Sequence, residues 1–256
     1  MKSIVLSGLL ALGLAGNAVE NPVYKLFPQD ILFHVSFDEG KAEPEMASGK
    51  AELLKTGKEL VYGGGVFGGK ALMGGRAFYS GLKNLDFSAP GTIVCWVSPV
   101  GWTEALNDKG KGRSYTAFQA YGDGYQFIMG KMGGQPKGVQ HMNFYFYYPP
   151  SKAVSCVNFN TAGFKKPGEW KMLVATWDSG TFTTTVNTKQ ATAKKDVITT
   201  APHRFAIGNS DDPKPEFPLL VDEVVILKRA LSPKEINALY EESVKLIPVE
   251  KEEAGK

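Results

Sequence analysis

Short apolar segments separated by clusters of turn residues run along most of this chain of 256 residues. The segments are rich in the β-branched and aromatic residues that strands favour, and Gly, Pro, Asn and Asp lie between them. The 29 glycines and 15 prolines exceed what a helical bundle would hold. Since no helical pattern intervenes, antiparallel sheets packed face to face are favoured. The strongest predicted strands are 31–37, 92–97, 115–120, 125–129, 142–148, 154–159, 171–177, 182–187, 204–207 and 219–227.

A single convincing helix is predicted near the end of the chain, over about 233–246. Ser232 can cap its start, Pro233 suits the first helical position, and Glu235 completes a capping box. Apolar residues recur on one face of this helix, so we expect it to pack against the sheets. The predicted fold class is therefore all-β, an antiparallel two-sheet β-sandwich with one short C-terminal helix.

The first 18 residues have the pattern of a signal peptide. Lys2 supplies the positive charge, 4–14 form a short apolar run, and small residues end at Ala18. The alternatives are a retained membrane anchor and a buried first helix. The run is too short for an ordinary bilayer-spanning helix, so we expect a secreted, periplasmic or cell-surface protein whose mature chain has no membrane span. The expected order is an extended N-terminal arm over 19–29, the β-sandwich over 30–246 and a flexible charged tail over 247–256.

The charge pattern argues against a nucleic-acid partner. Removal of the signal peptide takes away Lys2 and lowers the formal net charge from +3 by one, to +2. Charges of both signs are mixed along the chain, whereas a nucleic-acid-binding surface needs a concentrated basic stripe.

Two cysteines, Cys95 and Cys156, lie in a chain that we expect to meet an oxidising compartment. A disulfide between them would contribute about 4 kcal/mol in the chain-entropy model. The alternative is two buried free thiols on different strands, because cysteine is among the most buried residue types. The sequence leaves both alternatives open.

A glycine-rich stretch over 63–69 raises the question of a phosphate-binding loop. The stretch lacks the Gly-Lys-Ser/Thr ending of such loops, and no helix is predicted after it. Tight turns between strands are the better interpretation.

The sequence shows no arrangement typical of an enzyme. The central strands 92–97 and 171–176 carry no Asp or Glu that could form the paired carboxylates of a glycoside hydrolase. Asp222 and Glu223 are adjacent, so strand alternation would send them to opposite faces. The three histidines lack a nucleophile motif and the close spacing of a zinc site. We therefore predict a protein that is not an enzyme.

A binding surface is the better functional hypothesis. Aromatic rings in or beside predicted loops can stack on the apolar face of a sugar, and nearby polar side chains such as Gln126 can bond to its hydroxyls. Strand alternation also places Tyr145 and Tyr147 on one face of their strand. The alternative is that these rings fill the core and edges of the sandwich. The candidate ligand-binding residues are Trp102, Arg113, Tyr121, Asp123, Tyr125, Tyr145 and Tyr147.

Four segments, in order, carry a family resemblance: 35–40, 91–99 with its central tryptophan, 168–178 with a Gly-Glu-Trp start, and 220–226. The last contains Asp-Glu, leads to a Leu-Ser helix cap and is the most specific. Together they resemble the concanavalin A-like jelly roll of the lectin/glucanase superfamily, in particular the laminin-G-like domains of secreted bacterial proteins. The resemblance covers about 30–241.

The resemblance implies a calcium site near the opening and closing strands, for which Asp38 and Asp222 are the candidates. Many relatives have a further Asp where this chain has Met46. The alternative is that Asp38 caps a turn and that Asp222 pairs with a cation or a backbone amide. Another departure is Asn187-Thr188, where relatives have Asp-Gly or Asn-Gly, so this turn should be longer or of another type.

Taken together, these observations predict a secreted, non-catalytic module that binds carbohydrate, or a surface protein or glycoprotein, through the concave face and loops of a jelly roll. One alternative is a glycoside hydrolase or lyase with an atypical site. The other is a structural or assembly protein of the cell envelope.

Overall fold

The computed structural model describes residues 20–56, 59–100, 115–132, 141–148, 153–160, 168–194, 200–208 and 219–248. The predicted signal peptide, most of the predicted charged tail, and the candidates Trp102 and Arg113 lie outside these residues. None of the helices in the described part of the chain is long and apolar enough to cross a bilayer.

The described residues form two helices and sixteen strands. The helices are α1 (Pro22–Leu26) and α2 (Pro233–Val244). The first eight strands are β1 (Ile31–Val35), β2 (Met46–Ala47), β3 (Lys55–Thr56), β4 (Val61–Gly64), β5 (Lys70–Gly74), β6 (Ala77–Ser80), β7 (Gly91–Pro99) and β8 (Tyr115–Gly122). The others are β9 (Tyr125–Met132), β10 (His141–Tyr148), β11 (Ala153–Asn160), β12 (Lys171–Asp178), β13 (Thr181–Val186), β14 (Lys189–Lys194), β15 (Arg204–Ile207) and β16 (Leu219–Leu227).

The strands form two antiparallel sheets. One has nine strands in the described residues, with the order β14-β13-β12-β7-β16-β1-β2, and β4 and β5 join it beside β16. The other has seven strands in the order β11-β10-β9-β8-β15-β6-β3. Neighbours that are distant in sequence, such as β7 and β16, produce the crossovers of a jelly roll. The predicted all-β antiparallel sandwich is therefore confirmed.

The central strands of the nine-stranded sheet, β7, β12 and β16, are buried on both faces. The inner face of this sheet, which includes Phe33, Cys95 and Leu173, packs against the seven-stranded sheet in the main core. Its outer face, which includes Trp96 and Val174, forms a second core with the helices and the glycine-rich turn. All nine residues of β7 are consequently buried. A strand covered on both sides shows a continuous apolar run rather than alternation, as the sequence of β7 does.

This second core corrects two predictions. The arm over 19–29 was expected to be extended, but it contains α1, which Asn21 caps by accepting a hydrogen bond from the Val23 amide. In the opening strand, the alternation of His34 and Ser36 with Phe33 and Val35 predicts a half-buried strand with both polar side chains exposed. Both are buried instead, because Tyr24 of α1 packs against His34 and Glu45 bonds to Ser36.

The capping of α2 was predicted correctly. Ser232 accepts from the Glu235 amide and the Glu235 carboxylate accepts from the Ser232 amide, which is a complete capping box. Arg229 links the start of the helix to the body through Asp30 (2.6 Å) and Glu235 (2.9 Å). The helix therefore begins where the sequence predicts.

The sequence predicts that the turn at Asn187-Thr188 is longer than the Asn-Gly turn of relatives or of another type, and the structure shows a turn of another type. Val186 pairs directly with Lys189, so the turn has only two central residues, Asn187 and Thr188. Asn187 has φ = 56°, and Thr188 is not among the residues with positive φ. The Asn187 side chain also accepts a hydrogen bond from the Met172 amide at 3.0 Å, which fixes the turn against β12.

Cys95 is a free thiol buried in the main core. Cys156 pairs in register with Tyr145 in the other sheet, and its side chain lies outside the described residues. The structure thus has Cys95 in the free form, whereas the alternative of two buried free thiols also concerns Cys156 and stays a prediction.

We predict that iodoacetamide will not modify Cys95 in the native protein. Burial both blocks access and raises the pKa of the Cys95 thiol, so little thiolate is available to react. After denaturation without a reductant, mass spectrometry of the peptide that contains Cys95 should show full alkylation. A need for reductant before alkylation would instead demonstrate a disulfide.

Candidate ligand-binding site

A β-bulge in β16 brings two adjacent carboxylates into the same layer. The pairing of β16 with β7 shifts between Asp222 and Val225, and Glu223 has φ = 50°. Both acids are almost fully buried. Asp222 bonds to the glycine-rich turn and Glu223 bonds to the N-terminal segment, which both lie over the outer face of the sheet. The prediction that alternation separates them was wrong, because the bulge interrupts the alternation.

Glu223 is the centre of a buried hydrogen-bond network that anchors the N-terminal segment. Its Oε2 accepts from Asn21 Nδ2 at 2.6 Å and from His34 Nε2 at 2.7 Å. Nδ1 of the same imidazole lies 2.9 Å from the Tyr24 hydroxyl. A carboxylate only accepts, so Nε2 carries a proton, and in the neutral imidazole the Tyr24 hydroxyl donates to Nδ1. His34 therefore has a structural role in joining β1, β16 and α1.

An open cleft of about 890 Å³ lies above this network. Its described lining includes six carboxylates, among them Asp38, Glu45 and Glu223, and a single lysine, Lys41. The amide and hydroxyl of Ser36 both donate to Glu45, which also approaches His34 to 3.7 Å. The cleft is therefore strongly acidic, and its deeper carboxylates already accept hydrogen bonds from the protein.

The glycine-rich stretch forms a tight turn between β4 and β5, as predicted, but its amides do bind anions. They bind carboxylates of the protein itself. The Val66 amide donates to Asp222 at 2.7 Å, and the nearby Lys70 amide lowers the pKa of Asp38 in part. A Cβ at Gly69 would lie 1.9 Å from Asp38 Oδ1, so only glycine allows this close approach.

These contacts do not fit the calcium site that the resemblance implies. The two oxygens of Asp222 accept the amides of Val66 and Glu223, so N–H dipoles occupy positions from which a cation would approach. Calcium requires six to eight oxygen ligands. Among the described residues, no three His, Cys, Asp or Glu side chains come together as a metal-binding group. Asp222 pairs with backbone amides, which is the alternative that the sequence left open.

Crowding of carboxylates raises two pKa values in this region. Burial, followed by the charges of Glu223 and Glu45, raises the pKa of Asp38 from 3.8 to about 6. Burial, followed by the charge of Glu223, raises the pKa of Asp222 well above its usual range. Burial and the charge of Glu45 also raise the pKa of Tyr24 to about 12, which keeps its hydroxyl protonated as a donor.

We predict that Asp38→Asn will stabilise the protein above pH 6. Because the folded-state pKa of Asp38 exceeds its unfolded value, the folded state binds more protons between about pH 4 and 6, and the free energy of unfolding falls as pH rises through that window. Asparagine keeps an acceptor for the Lys70 amide and removes the charge. After allowance for solvent screening, the expected gain at pH 7 is on the order of 1 kcal/mol.

The measurement is urea unfolding between pH 4 and 8. Glu39→Gln is the matched control, since Glu39 is the neighbouring carboxylate, is exposed and has its pKa lowered by Lys41. A wild-type pH slope that persists in Asp38→Asn would contradict the assignment.

A second prediction concerns the glycine turn itself. Gly69→Ala should lower the free energy of unfolding by about 1–3 kcal/mol, because its Cβ would collide with the Asp38 carboxylate. Gly64→Ala is the control, since a Cβ there has no atom within 4 Å. Equal denaturant midpoints for the two variants would show that the turn does not hold Asp38 as described.

The second candidate surface is the outer face of the seven-stranded sheet. Arg204 pairs with Tyr121, and Tyr121 pairs with Gln126, so the three lie in one row across β15, β8 and β9. The row continues to Tyr147 in β10, and the neighbouring row runs through Ile128 to Tyr145. The side chains of Tyr145 and Tyr147 lie outside the described residues. In register, however, three of the predicted tyrosines fall on two neighbouring rows of the same sheet.

A stack of a guanidinium on aromatic rings marks this face. The Arg204 guanidinium lies 4.8 Å from the centre of the Tyr121 ring and 5.5 Å from that of Phe78. The two rings stack at 6.5 Å. Tyr121 is half-buried and Arg204 is exposed. The exposed guanidinium and the half-buried Tyr121 ring are therefore both reachable by a ligand.

Beside this stack, polar side chains form a chain of hydrogen bonds. Arg76 donates to Gln119, and Gln119 Nε2 donates to Gln126 Oε1 at 3.1 Å. Sequence analysis identified Gln126 and Tyr121 but missed Arg204, Arg76 and Gln119. The alternation of apolar Phe205 and Ile207 after Arg204 was a signal that could have placed Arg204 on the outer face.

Two other predicted residues lie elsewhere. Tyr125 is buried in the main core against Phe87 and Phe146, and its hydroxyl donates to the Thr200 carbonyl. Its ring therefore serves packing, because strand alternation turns it inward. Asp123 lies exposed in the turn between β8 and β9.

The chain matches a family profile over residues 74–237, that of Laminin_G_3, described as the concanavalin A-like lectin/glucanases superfamily. It belongs to this family, as the resemblance predicted. Comparison with curated protein sequences gives no match.

Solved structures with the same fold include binding domains of toxins. The binding domain of Paraclostridial Mosquitocidal Protein 1 is 11% identical with a TM-score of 0.64, and 83% of this chain covers 52% of that one. A second structure comes from work on botulinum neurotoxin type C, a toxin whose cell entry is dependent upon interaction with two ganglioside molecules. It is 13% identical with a TM-score of 0.63, and the similarity covers 84% of this chain and 51% of that chain. This chain thus spans about half the length of these toxin structures.

Domain 4 of AbnA, an extracellular arabinanase from Geobacillus stearothermophilus solved with arabinotriose, is similar over nearly its whole length. It is 19% identical with a TM-score of 0.57, and 82% of this chain covers 98% of that domain. At these identities the similarity shows a shared fold.

Proposed function

We propose that this protein is an exported, non-catalytic binding module that recognises carbohydrate through the outer face of its seven-stranded sheet. The observation that carries the proposal is the stack of Arg204 on Tyr121 and Phe78, beside Gln126. Half-exposed aromatic rings provide flat apolar surface for a sugar ring, and fixed polar groups at their edges bond to its hydroxyls. Family membership supports this reading, since the superfamily includes lectins.

The structures with the same fold also support carbohydrate as the class of ligand. The arabinanase domain was solved in complex with arabinotriose, and the botulinum structure concerns the dependence of cell entry on interaction with two ganglioside molecules. Export is supported by Lys2 and the apolar run over 4–14.

The non-catalytic part of the proposal is supported by the burial and the hydrogen bonds of the two deepest carboxylates. Glu223 has 2% of its surface exposed and bonds to Asn21 and His34, while Asp222 is fully buried and bonds to backbone amides. Neither can reach a glycosidic bond in this geometry.

One observation favours a second candidate, a glycoside hydrolase that uses the acidic cleft. An Asp38 pKa of about 6, in a cleft shared with Glu45, is suited to a general acid. Release of reducing ends from mixed polysaccharides, and its loss in Asp38→Asn, would support this candidate over a pure binding module.

For the binding module, we predict that Tyr121→Ala will weaken glycan binding by about tenfold or more, because it removes the ring on which Arg204 and a sugar would stack. The strongest ligand on a glycan array would serve for calorimetry. Tyr121→Phe keeps the ring and should retain most of the affinity. Lys189→Ala, an exposed change in the other sheet, should have no effect.

Two results would contradict the proposal. One is the absence of binding to every glycan on the array. The other is unchanged affinity in Tyr121→Ala, which would move the site away from this face.

A further inference from the structure

The hydrogen-bond chain on the seven-stranded sheet has only one chemically allowed direction. An arginine guanidinium can only donate, so the Gln119 oxygen must face Arg76. The Gln119 amide nitrogen then donates to the Gln126 oxygen at 3.1 Å. This orientation leaves the NH₂ group of Gln126 at the outer end of the chain. Because Arg76 is buried, the direction is set from inside the protein.

Arg204 presents donors to the same part of the surface. Its guanidinium lies over the Tyr121 ring. None of the ion pairs found between described residues includes Arg204. Stacking holds the plane of the guanidinium and leaves the N–H groups at its edge available. Adjacent strands are about 4.8 Å apart, so the Cα atoms of Arg204 and Gln126 lie about 10 Å apart on either side of Tyr121.

The surface around Tyr121 therefore combines an aromatic ring with the Arg204 guanidinium and the Gln126 NH₂ group, both of which only donate hydrogen bonds. A neutral sugar offers hydroxyls, which both donate and accept hydrogen bonds, so a site suited to it would present acceptors as well as donors. A carboxylate offers only acceptors, and a planar guanidinium pairs with it through two parallel hydrogen bonds. The charge of Arg204 further favours an anion over a hydroxyl.

We infer that this face binds an acidic saccharide through its carboxylate. Arg204 forms the paired hydrogen bonds, the Gln126 amide donates to the remaining oxygens, and Tyr121 contacts the sugar ring. This inference rests on the proposed carbohydrate-binding function and deepens it, because it names the chemical class of the ligand.

The test compares pairs of polysaccharides that share a backbone and differ in charge, together with one further acidic polysaccharide. Polygalacturonate is paired with its methyl-esterified form, in which the same backbone has lost the carboxylate charges. Hyaluronan adds a second uronate, and the pair of dextran sulfate and dextran tests whether sulfate substitutes for carboxylate. Affinity electrophoresis ranks all five, and calorimetry gives the dissociation constants of those that bind.

Three variants test the assigned residues. Arg204→Lys keeps the charge and removes the planar fork, so affinity for the uronate should fall about tenfold. Gln126→Met keeps the length and removes the donor, and it should weaken binding severalfold. Gln126→Glu replaces the donor by a carboxylate and should abolish binding. Lys189→Arg is the control for a general effect of positive charge, and thermal melts confirm that each variant is folded.

The outcomes separate this inference from the proposed function. Preference for polygalacturonate or hyaluronan over neutral polysaccharides, lost in Arg204→Lys and Gln126→Glu, supports the inference. Binding to methyl-esterified polygalacturonate or dextran alone, or to dextran sulfate alone, overturns it and leaves carbohydrate binding in place. Uronate binding that the variants do not alter places the site elsewhere and overturns it. Failure of all five polysaccharides, together with an empty glycan array, overturns both.

Discussion

Burial of the central strands of the nine-stranded sheet on both faces is the constraint on which the rest of the structure depends. A sheet packed on one side only could leave its polar residues in water. Here α1, α2 and the glycine turn cover the second side, so His34, Asp222 and Glu223 must find partners inside the protein. The amides of the turn and the side chains of the N-terminal segment provide those partners.

The same constraint separates two surfaces of opposite chemistry. Over the nine-stranded sheet, the cleft concentrates carboxylates, and burial together with the charges of Glu223 and Glu45 raises the pKa of Asp38 to about 6. On the far side of the molecule, the seven-stranded sheet presents Arg204, Tyr121 and Gln126, which offer a ring and hydrogen-bond donors. The first surface mainly holds the fold together, and the second has the composition of a recognition surface.

Much of the strand framework could be predicted because the strands around the main core carry long apolar or β-branched runs. The segments at β7, β12, β15 and β16 illustrate this, and local capping residues located α2 equally well. The edge strand β14 was missed because its Lys-Gln-Ala-Thr-Ala-Lys sequence has little apolar character. Helix α1 was missed because five residues are too few to show helical periodicity.

The sequence by itself determined the fold class and the start of α2. These depend on hydrophobic periodicity and local hydrogen bonds, which neighbouring residues encode. Only the tertiary structure decided that Tyr125 lies in the core and that a bulge at Glu223 places two acids in one layer. It also decided that Arg204, Tyr121 and Gln126 share a row. Those facts depend on the register between strands distant in the chain, which no local pattern specifies.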